Sequence, residues 1–243
     1  MKTQQHFFYF TILIMAMSFS SCDDGLFSDC RKSNGANATL DFDLEEVSSF
    51  DFALSGNVIV TRGETQQVTI SGPEDVLRNI NTNVSNGQWQ ITTRDCFRKY
   101  DPVTVTMQLV DLNNVYLSGA GNITIMDTFE TGTSQVGIAG SGNLIWKSIS
   151  EQIEANISGS GTIMMTGMAD KLFGTVAGSG NILCKDMPVK EVDLTIAGSG
   201  DAEVTVSESL KVKIAGSGSV FYYGDPGSID QNISGSGRVI KRN

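Results

Sequence analysis

Histidine, aromatic residues and positive charge are all scarce in this chain of 243 residues. It has one His, 8% aromatic residues, and 17 Lys and Arg against 27 Asp and Glu, a formal net charge of −10. Phosphate recognition requires clustered Lys and Arg, so nucleic acid is not an expected partner. The single histidine, His6, lies in a segment that we expect to be cleaved. A mature chain without imidazole excludes Ser-His-Asp and Cys-His catalysis and His-ligated metals, and no cofactor is expected.

The first 21 residues have the pattern of a signal peptide. Lys2 precedes an apolar run over residues 7–19, which is too short for a membrane span of roughly 20 residues. Two serines then lead to Cys22, and this arrangement resembles a bacterial lipoprotein signal. The resemblance implies cleavage before Cys22 and its lipidation, which anchors the chain to a membrane. The alternative is a soluble secreted protein in which Cys22 is an ordinary cysteine.

Two acidic residues, Asp23 and Asp24, come directly after this cysteine. They resemble the surface-export signal of Bacteroidetes lipoproteins, although the solvated start of a linker has the same composition. We therefore expect an outer-membrane lipoprotein exposed at the cell surface. Residues 22–40 are mostly polar and small and have no period, which predicts a tether that leads into the fold.

A short glycine motif recurs seven times in the second half of the chain. The copies are SGAGN at 118, AGSGN at 139, SGSGT at 158, AGSGN at 177, AGSGD at 197, AGSGS at 215 and SGSGR at 234. Their first glycines are 18 to 21 residues apart. A repeat of this length is typical of a solenoid, in which each unit packs on its neighbours.

Apolar residues alternate with polar ones on both sides of each motif. The position two residues before the first glycine is aliphatic in every copy: Leu117, Ile138, Ile157, Val176, Ile196, Ile214 and Ile233. Alternation around a glycine corner indicates two strands, each with one face inward. The sequence therefore predicts an all-β fold, a single-stranded, right-handed parallel β-helix with coils of about 19 residues. The polar residue that ends each motif is expected to form a hydrogen-bonded ladder along the stack.

The β-helix domain is predicted to span residues 41–243, with regular coils over 114–243 and irregular coils over 41–113. The irregular part has its own corner at Gly56 and a strong hairpin signal at Asn86-Gly87. We expect it to cap the open edge that a solenoid must protect.

The order of these blocks resembles one family. FDFALSGNVIVTRGETQQVTISG, then VTVTMQLVDLNNVYLSGAGNI, then serial GSG corners are similar to the head GIN domain family of auto-transporter adhesins, which is common among Bacteroidetes lipoproteins. The similarity covers roughly residues 40–240. It implies a β-helical envelope protein and carries over no catalytic residue.

The remaining cysteines have different expected roles. Cys30 and Cys96 lie in polar, irregular stretches that flank the N-terminal coils, and an exported protein is in a compartment that permits disulfides. We predict a bond between them, with two free thiols as the alternative. Cys184 occupies an inward column and is expected to be a small buried side chain.

One outward column, five residues after the first glycine, is mostly apolar: Thr124, Ile145, Met164, Leu183, Glu203, Phe221 and Ile240. Phe221 and Tyr223 are both expected to point away from the core. An exposed apolar stripe suggests a partner surface, for a glycan or protein ligand, or self-association. The alternative is that a loop or the N-terminal section covers it.

Carboxylate catalysis is the enzyme alternative. Asp201 and Glu203 share one strand face, with Lys185 and Lys211 on adjacent coils, but acids on neighbouring coils do not line up with them. Only one motif ends in Asp, which disfavours calcium. The leading prediction is a non-catalytic, lipid-anchored surface adhesin or binding module. A periplasmic structural or regulatory module is the alternative, and a carbohydrate-active enzyme is less favoured.

Overall fold

The computed structural model describes residues 30–243, and they form the predicted right-handed β-helix, with about seven turns and coils about 19 residues apart. The predicted signal peptide, Cys22 and the acidic pair after it lie outside the described residues.

The strands are β1 (Arg31–Lys32), β2 (Asn37–Asp41), β3 (Ser49–Phe52), β4 (Ser55–Arg62), β5 (Gln67–Pro73), β6 (Val84–Ser85), β7 (Gln88–Ile91), β8 (Phe97–Lys99), β9 (Val103–Leu109), β10 (Asn114–Leu117), β11 (Ala120–Ile125), β12 (Phe129–Gly140), β13 (Asn143–Gly159), β14 (Thr162–Gly178), β15 (Asn181–Gly198), β16 (Ala202–Gly216), β17 (Ser219–Tyr223), β18 (Ser228–Gly235) and β19 (Arg238–Lys241). One helical turn, α1, spans Glu74–Leu77.

Parallel pairing places equivalent residues of successive coils on top of one another. Ile138 of β12 pairs with Ile157 of β13, which pairs with Val176 of β14. All three side chains are at most 2% exposed, so each coil contributes one layer to a continuous core. The alternation seen in the sequence therefore marks the inward face correctly.

The corners depend on glycine because adjacent coils approach closely. Gly178 has φ 132°, and a Cβ there would lie 2.3 Å from the carbonyl oxygen of Gly159. In the first motif the positive φ falls on the second glycine, Gly121, which pairs with Gly56. The N-terminal corner predicted at Gly56 is thus part of the same stack.

The polar residues after the corners form the expected ladder in two stretches, one over the N-terminal coils and one over the later coils. The Asn122 side-chain amide donates to Asn57 Oδ1 at 3.0 Å, and the Asn143 amide donates to Asn122 Oδ1 at 2.9 Å. Further along, Asn181 Oδ1 accepts a hydrogen bond from the backbone of Asp201 at 3.1 Å. These bonds run along the solenoid axis and tie neighbouring coils together.

The N-terminal coils are not stacked in chain order. Strands β3 and β4 lie between β7 and β9 on one side and β10 and β11 on the other. Beyond β9, the antiparallel strands β5 and β2 extend the sheet, and α1 buries Val76 and Leu77. Asn86 and Gly87, both with positive φ, close the predicted hairpin between β6 and β7. This end of the solenoid is capped.

The structure differs from the predicted tether over its last residues. Strand β2 begins at Asn37, inside the segment predicted as tether, because it pairs with β5 over five residues. The predicted disulfide between Cys30 and Cys96 is present, with Cα atoms 4.7 Å apart, beside the short pairing of β1 with β8. The described chain therefore enters the fold at the capped end, whereas the last coil, β18 and β19, is at the opposite end.

Helix contributes almost nothing to this architecture. Among the residues that the structure describes, no helix is long and apolar enough to cross a membrane.

Candidate binding surface

One sheet of the solenoid carries a shallow groove on its outward face. This sheet is formed by β9, β4, β11, the first halves of β13 to β16, and then β17 and β19. The groove has a volume of about 630 Å³. We call it the neutral groove, and its lining residues are Asn57, Val58, Ile59, Thr104, Asn122, Ile123, Thr124, Asn143, Leu144, Ile145, Thr162 and Met164.

Two parallel columns of side chains give the groove its character. The asparagine ladder forms one column, and its amides are partly used in bonding each other. The second column is the predicted apolar stripe, continued toward the N-terminus by Ile59, which pairs with Thr124. Ile59 and Met164 are 38% and 43% exposed, so the described residues leave this part of the stripe uncovered.

The groove has no charged lining residue, although the chain has a net charge of −10. Its surface consists of amides, hydroxyls and aliphatic groups. Such a surface offers hydrogen bonds and apolar contact without attracting or repelling ions, which suits an uncharged ligand. Its lining residues include no acid or base, so none of its threonine hydroxyls has a lining side chain to activate it.

Phe221 and Tyr223, the residues proposed from sequence for binding, lie on the same sheet outside the groove. Both side chains are half-buried. The Arg242 guanidinium lies 4.7 Å from the centre of the Phe221 ring, and Lys185 Nζ lies 4.6 Å from the centre of the Tyr223 ring. These cation–π contacts cover part of each ring. Their role in binding stays a prediction.

The residues considered for catalysis take part in separate structural contacts. Asp201 Oδ1 accepts a hydrogen bond from the backbone of Ser219 at 2.7 Å, which makes Asp201 a member of the ladder. Lys211 forms an ion pair with Asp193 at 2.8 Å. These contacts place no carboxylate from a neighbouring coil beside Asp201 or Glu203.

Cys184 is the remaining reactive side chain considered from the sequence. Cys184 is fully buried, its Sγ donates to the carbonyl oxygen of Glu203 at 3.1 Å, and burial raises the pKa of its thiol to about 12. It stays protonated at neutral pH. Within residues 30–243, no group of three or more His, Cys, Asp or Glu side chains is placed to hold a metal ion.

Sequence reasoning missed the N-terminal half of the groove. Asn57 and Ile59 occupy the same relative positions as Asn143 and Ile145, so the pattern Asn-aliphatic-Ile was visible in both places. What the sequence did not show is that β4 packs directly against β11.

Comparison with known proteins agrees with this architecture. A crystal structure of a "putative adhesin" from Bacteroides fragilis has a TM-score of 0.79 and 20% identity, covering 87% of this chain and 99% of that one. A "putative adhesin" from Parabacteroides merdae has a TM-score of 0.71 and 21% identity, covering 89% of this chain and 100% of that one. At these identities the likeness concerns the fold.

A third structure with the same fold has a different description. It is a "putative lipid binding protein" from Parabacteroides distasonis, with a TM-score of 0.70 and 21% identity, covering 87% of this chain and 99% of that one. No curated protein matches the chain. The family described as "Putative auto-transporter adhesin, head GIN domain" matches residues 48–226. The chain, with its glycine corners and stacked coils, therefore belongs to the head GIN domain family.

Proposed function

We propose that this protein is a non-catalytic, lipid-anchored module of the cell envelope, displayed on the outer-membrane surface, that binds an uncharged ligand in the neutral groove. The observation that carries the proposal is the groove itself, an uncharged surface of about 630 Å³ on a chain with a net charge of −10. The adhesin description of the family supports binding rather than turnover.

A neutral glycan is the first candidate ligand. Sugar hydroxyls match the amide and hydroxyl groups of Asn143 and Thr162, and the C–H faces of sugar rings can pack on Ile145 and Met164. Lipid is the second candidate, favoured by the exposed aliphatic stripe and by the description of the Parabacteroides distasonis protein.

Two methionines four residues apart provide a matched test of the groove. Met164 lines the groove and is 43% exposed, whereas Met168 is 55% exposed and lies outside it. We expect Met164→Lys to abolish retention on an array of neutral glycans, or on vesicles of zwitterionic phospholipid with no net charge, while Met168→Lys behaves as wild type. Equal binding by both variants and wild type would exclude the groove as the site.

Location needs a separate experiment. Protease treatment of intact cells, with lysed cells as the control and detection of the C-terminus, is expected to remove the signal from intact cells. Protection until lysis would contradict surface display and favour a periplasmic module.

A further inference from the structure

The last coil leaves core positions uncovered. Ile229 and Ile233 of β18 pair with Leu210 and Ile214 of β16 and so continue the inward columns. Leu210 and Ile214 are 1% and 2% exposed, but Ile229 and Ile233 are 44% and 37% exposed. Within the described residues β18 has β16 as its one paired neighbour, so a strand edge and an apolar surface are open together.

The other half of this coil is protected against strand addition. Lys241 of β19 occupies an inward column, in register with Tyr222, and forms an ion pair with Asp225. Arg242 lies over the ring of Phe221. Cations on an edge strand hinder pairing with another strand. Strand β18 lacks such protection because it contains no Lys or Arg. Its single charged residue, Asp230, is in register with Lys211 of β16.

The sequence of β18 is nearly the same in both directions. Residues 228–234 read Ser-Ile-Asp-Gln-Asn-Ile-Ser, and reversal changes this segment by exchanging Asp230 with Asn232 alone. A strand that meets its own copy in antiparallel orientation meets its reversed sequence. A near-palindrome on an unprotected edge is therefore complementary to itself.

We propose that a second copy of this chain docks on the last coil, with β18 of one copy pairing antiparallel to β18 of the other around a two-fold axis at Gln231. Such an isologous contact uses the same patch twice. Ile229 of each copy then lies opposite Ile233 of the other, and both side chains leave water. The amide side chains of the two Gln231 residues meet at the axis and satisfy one another.

Charge and register both select this arrangement. Asp230 lies opposite the neutral Asn232, whereas centring the pair on residue 230 would place the two Asp230 carboxylates opposite each other. A shift of one residue would put the isoleucines against the outward face. The segment 224–243 carries three cationic and two acidic side chains. The two copies therefore meet at a part of the chain that lacks the negative net charge of the whole.

The pairing also has a consequence for adhesion, and this consequence rests on the proposed function. The described chain begins at Cys30, at the end of the solenoid opposite to β18. Nine stacked strands, β7, β3, β10, β12 to β16 and β18, span the distance between these ends, roughly 40 Å at the usual strand spacing. Two copies joined through β18 direct their N-termini away from each other. Copies anchored through Cys22 would then bridge two facing membranes.

The first experiment is a cysteine cross-link in the purified full chain in detergent, where the C-terminal ends of two copies are free to meet. Gln231→Cys places a thiol opposite itself across the axis, and mild oxidation is expected to give a disulfide-linked dimer on a non-reducing gel. Thr195→Cys, at an exposed position in a central coil, is the control and should stay monomeric. Absence of the Gln231→Cys dimer, or equal yields from both variants, would overturn the pairing.

The second experiment measures the mass of the purified full chain by sedimentation in detergent. Wild type is expected to be dimeric, Ile229→Lys monomeric, and Ile149→Lys, a matched change at a 50% exposed Ile in β13, dimeric. The double variant Ile229→Lys, Ile233→Glu should recover the dimer, because each Lys then faces a Glu. Monomeric wild type, or no recovery, would refute the proposal. Since this readout needs neither ligand nor cell, its failure leaves the groove untouched.

Discussion

At the scale of single residues, the corner glycines are the most demanding positions of the fold. Gly178 has φ 132°, and the carbonyl oxygen of Gly159 lies 2.3 Å from where its Cβ would be. Both the backbone conformation and the overlap oppose a side chain. We therefore expect Gly178→Ala to lower the free energy of unfolding by roughly 2–5 kcal/mol, measured by chemical denaturation.

Gly132 provides the control for this substitution. It lies in β12, has no positive φ, and a Cβ there meets nothing within 4 Å. Gly132→Ala should leave stability unchanged or raise it by about 0.5 kcal/mol, because Ala restricts the unfolded chain. If both variants unfolded alike, close approach at the corners would not be what requires glycine.

Asp75 makes a small part of the stability depend on pH. Its carboxylate accepts hydrogen bonds from Ser33 Oγ at 2.6 Å and from the backbone of Asn34 and Val76, and these bonds lower its pKa. Because the folded-state pKa lies below the unfolded one, the carboxylate stabilises the fold at neutral pH. That contribution is lost as the pH falls through the lowered pKa.

Melting curves of wild type and Asp75→Asn at several pH values test this. Wild type should melt higher at neutral pH, and the difference should shrink as the pH falls below about 4, the ordinary range of an Asp pKa. A difference that is constant with pH would mean that the variant acts through packing instead.

At the scale of elements, the disulfide ties β1 to β8 and encloses the first coils. It joins residues 66 positions apart, and closing a loop of that length stabilises the fold by about 4 kcal/mol in the chain-entropy model. We expect the double variant Cys30→Ala, Cys96→Ala to unfold at lower denaturant concentration than wild type. The matched measurement is wild type under reducing conditions, which should shift equally. Cys184, buried and protonated, should not contribute.

The regular elements were predictable because repetition reveals them. The columns through Ile138 and Asn143 recur at each coil, so one alignment of the sequence with itself identifies inward and outward positions. Their stacking in the structure follows directly, since equal spacing brings equivalent residues into register. The strands themselves, and the hairpin at Asn86, needed no tertiary information.

The N-terminal coil order could not be derived in the same way. Strand β3 inserts between β7 and β10, and nothing local distinguishes this order from a sequential one, because all three strands have apolar inward residues. The groove depends on that order, since Asn57 and Ile59 reach it through β4. The site was therefore visible from the sequence only where the coils are sequential.

At the scale of the whole molecule, the two ends of the solenoid differ in how well their core residues are covered. The N-terminal end is closed by antiparallel strands, a helical turn and a disulfide, whereas the C-terminal end exposes Ile229 and Ile233. Between the two ends, each coil contacts the two coils that lie on either side of it in the stack. Stability should then be close to a sum over coils and their interfaces.

Removing one whole coil tests this view of the molecule. Deletion of residues 162–180 joins Gly161 to Asn181, so a complete corner motif is retained and the strands β13 and β15 can meet in the register that each now has with β14. We expect a cooperative β-sheet protein by circular dichroism with a lower melting temperature, because one layer of core is lost.

Deletion of half a coil, residues 162–170, is the matched comparison. It leaves Lys171 directly after the corner and brings the next corner glycine, Gly178, 10 residues after Gly159 instead of 19, so this coil is too short to complete a turn in register with its neighbours. This variant should fail to give a cooperative melt. If the half-coil deletion folded as well as the whole-coil deletion, stacking in register would not be what holds the solenoid together, and the columns would have to be explained by packing within each coil alone.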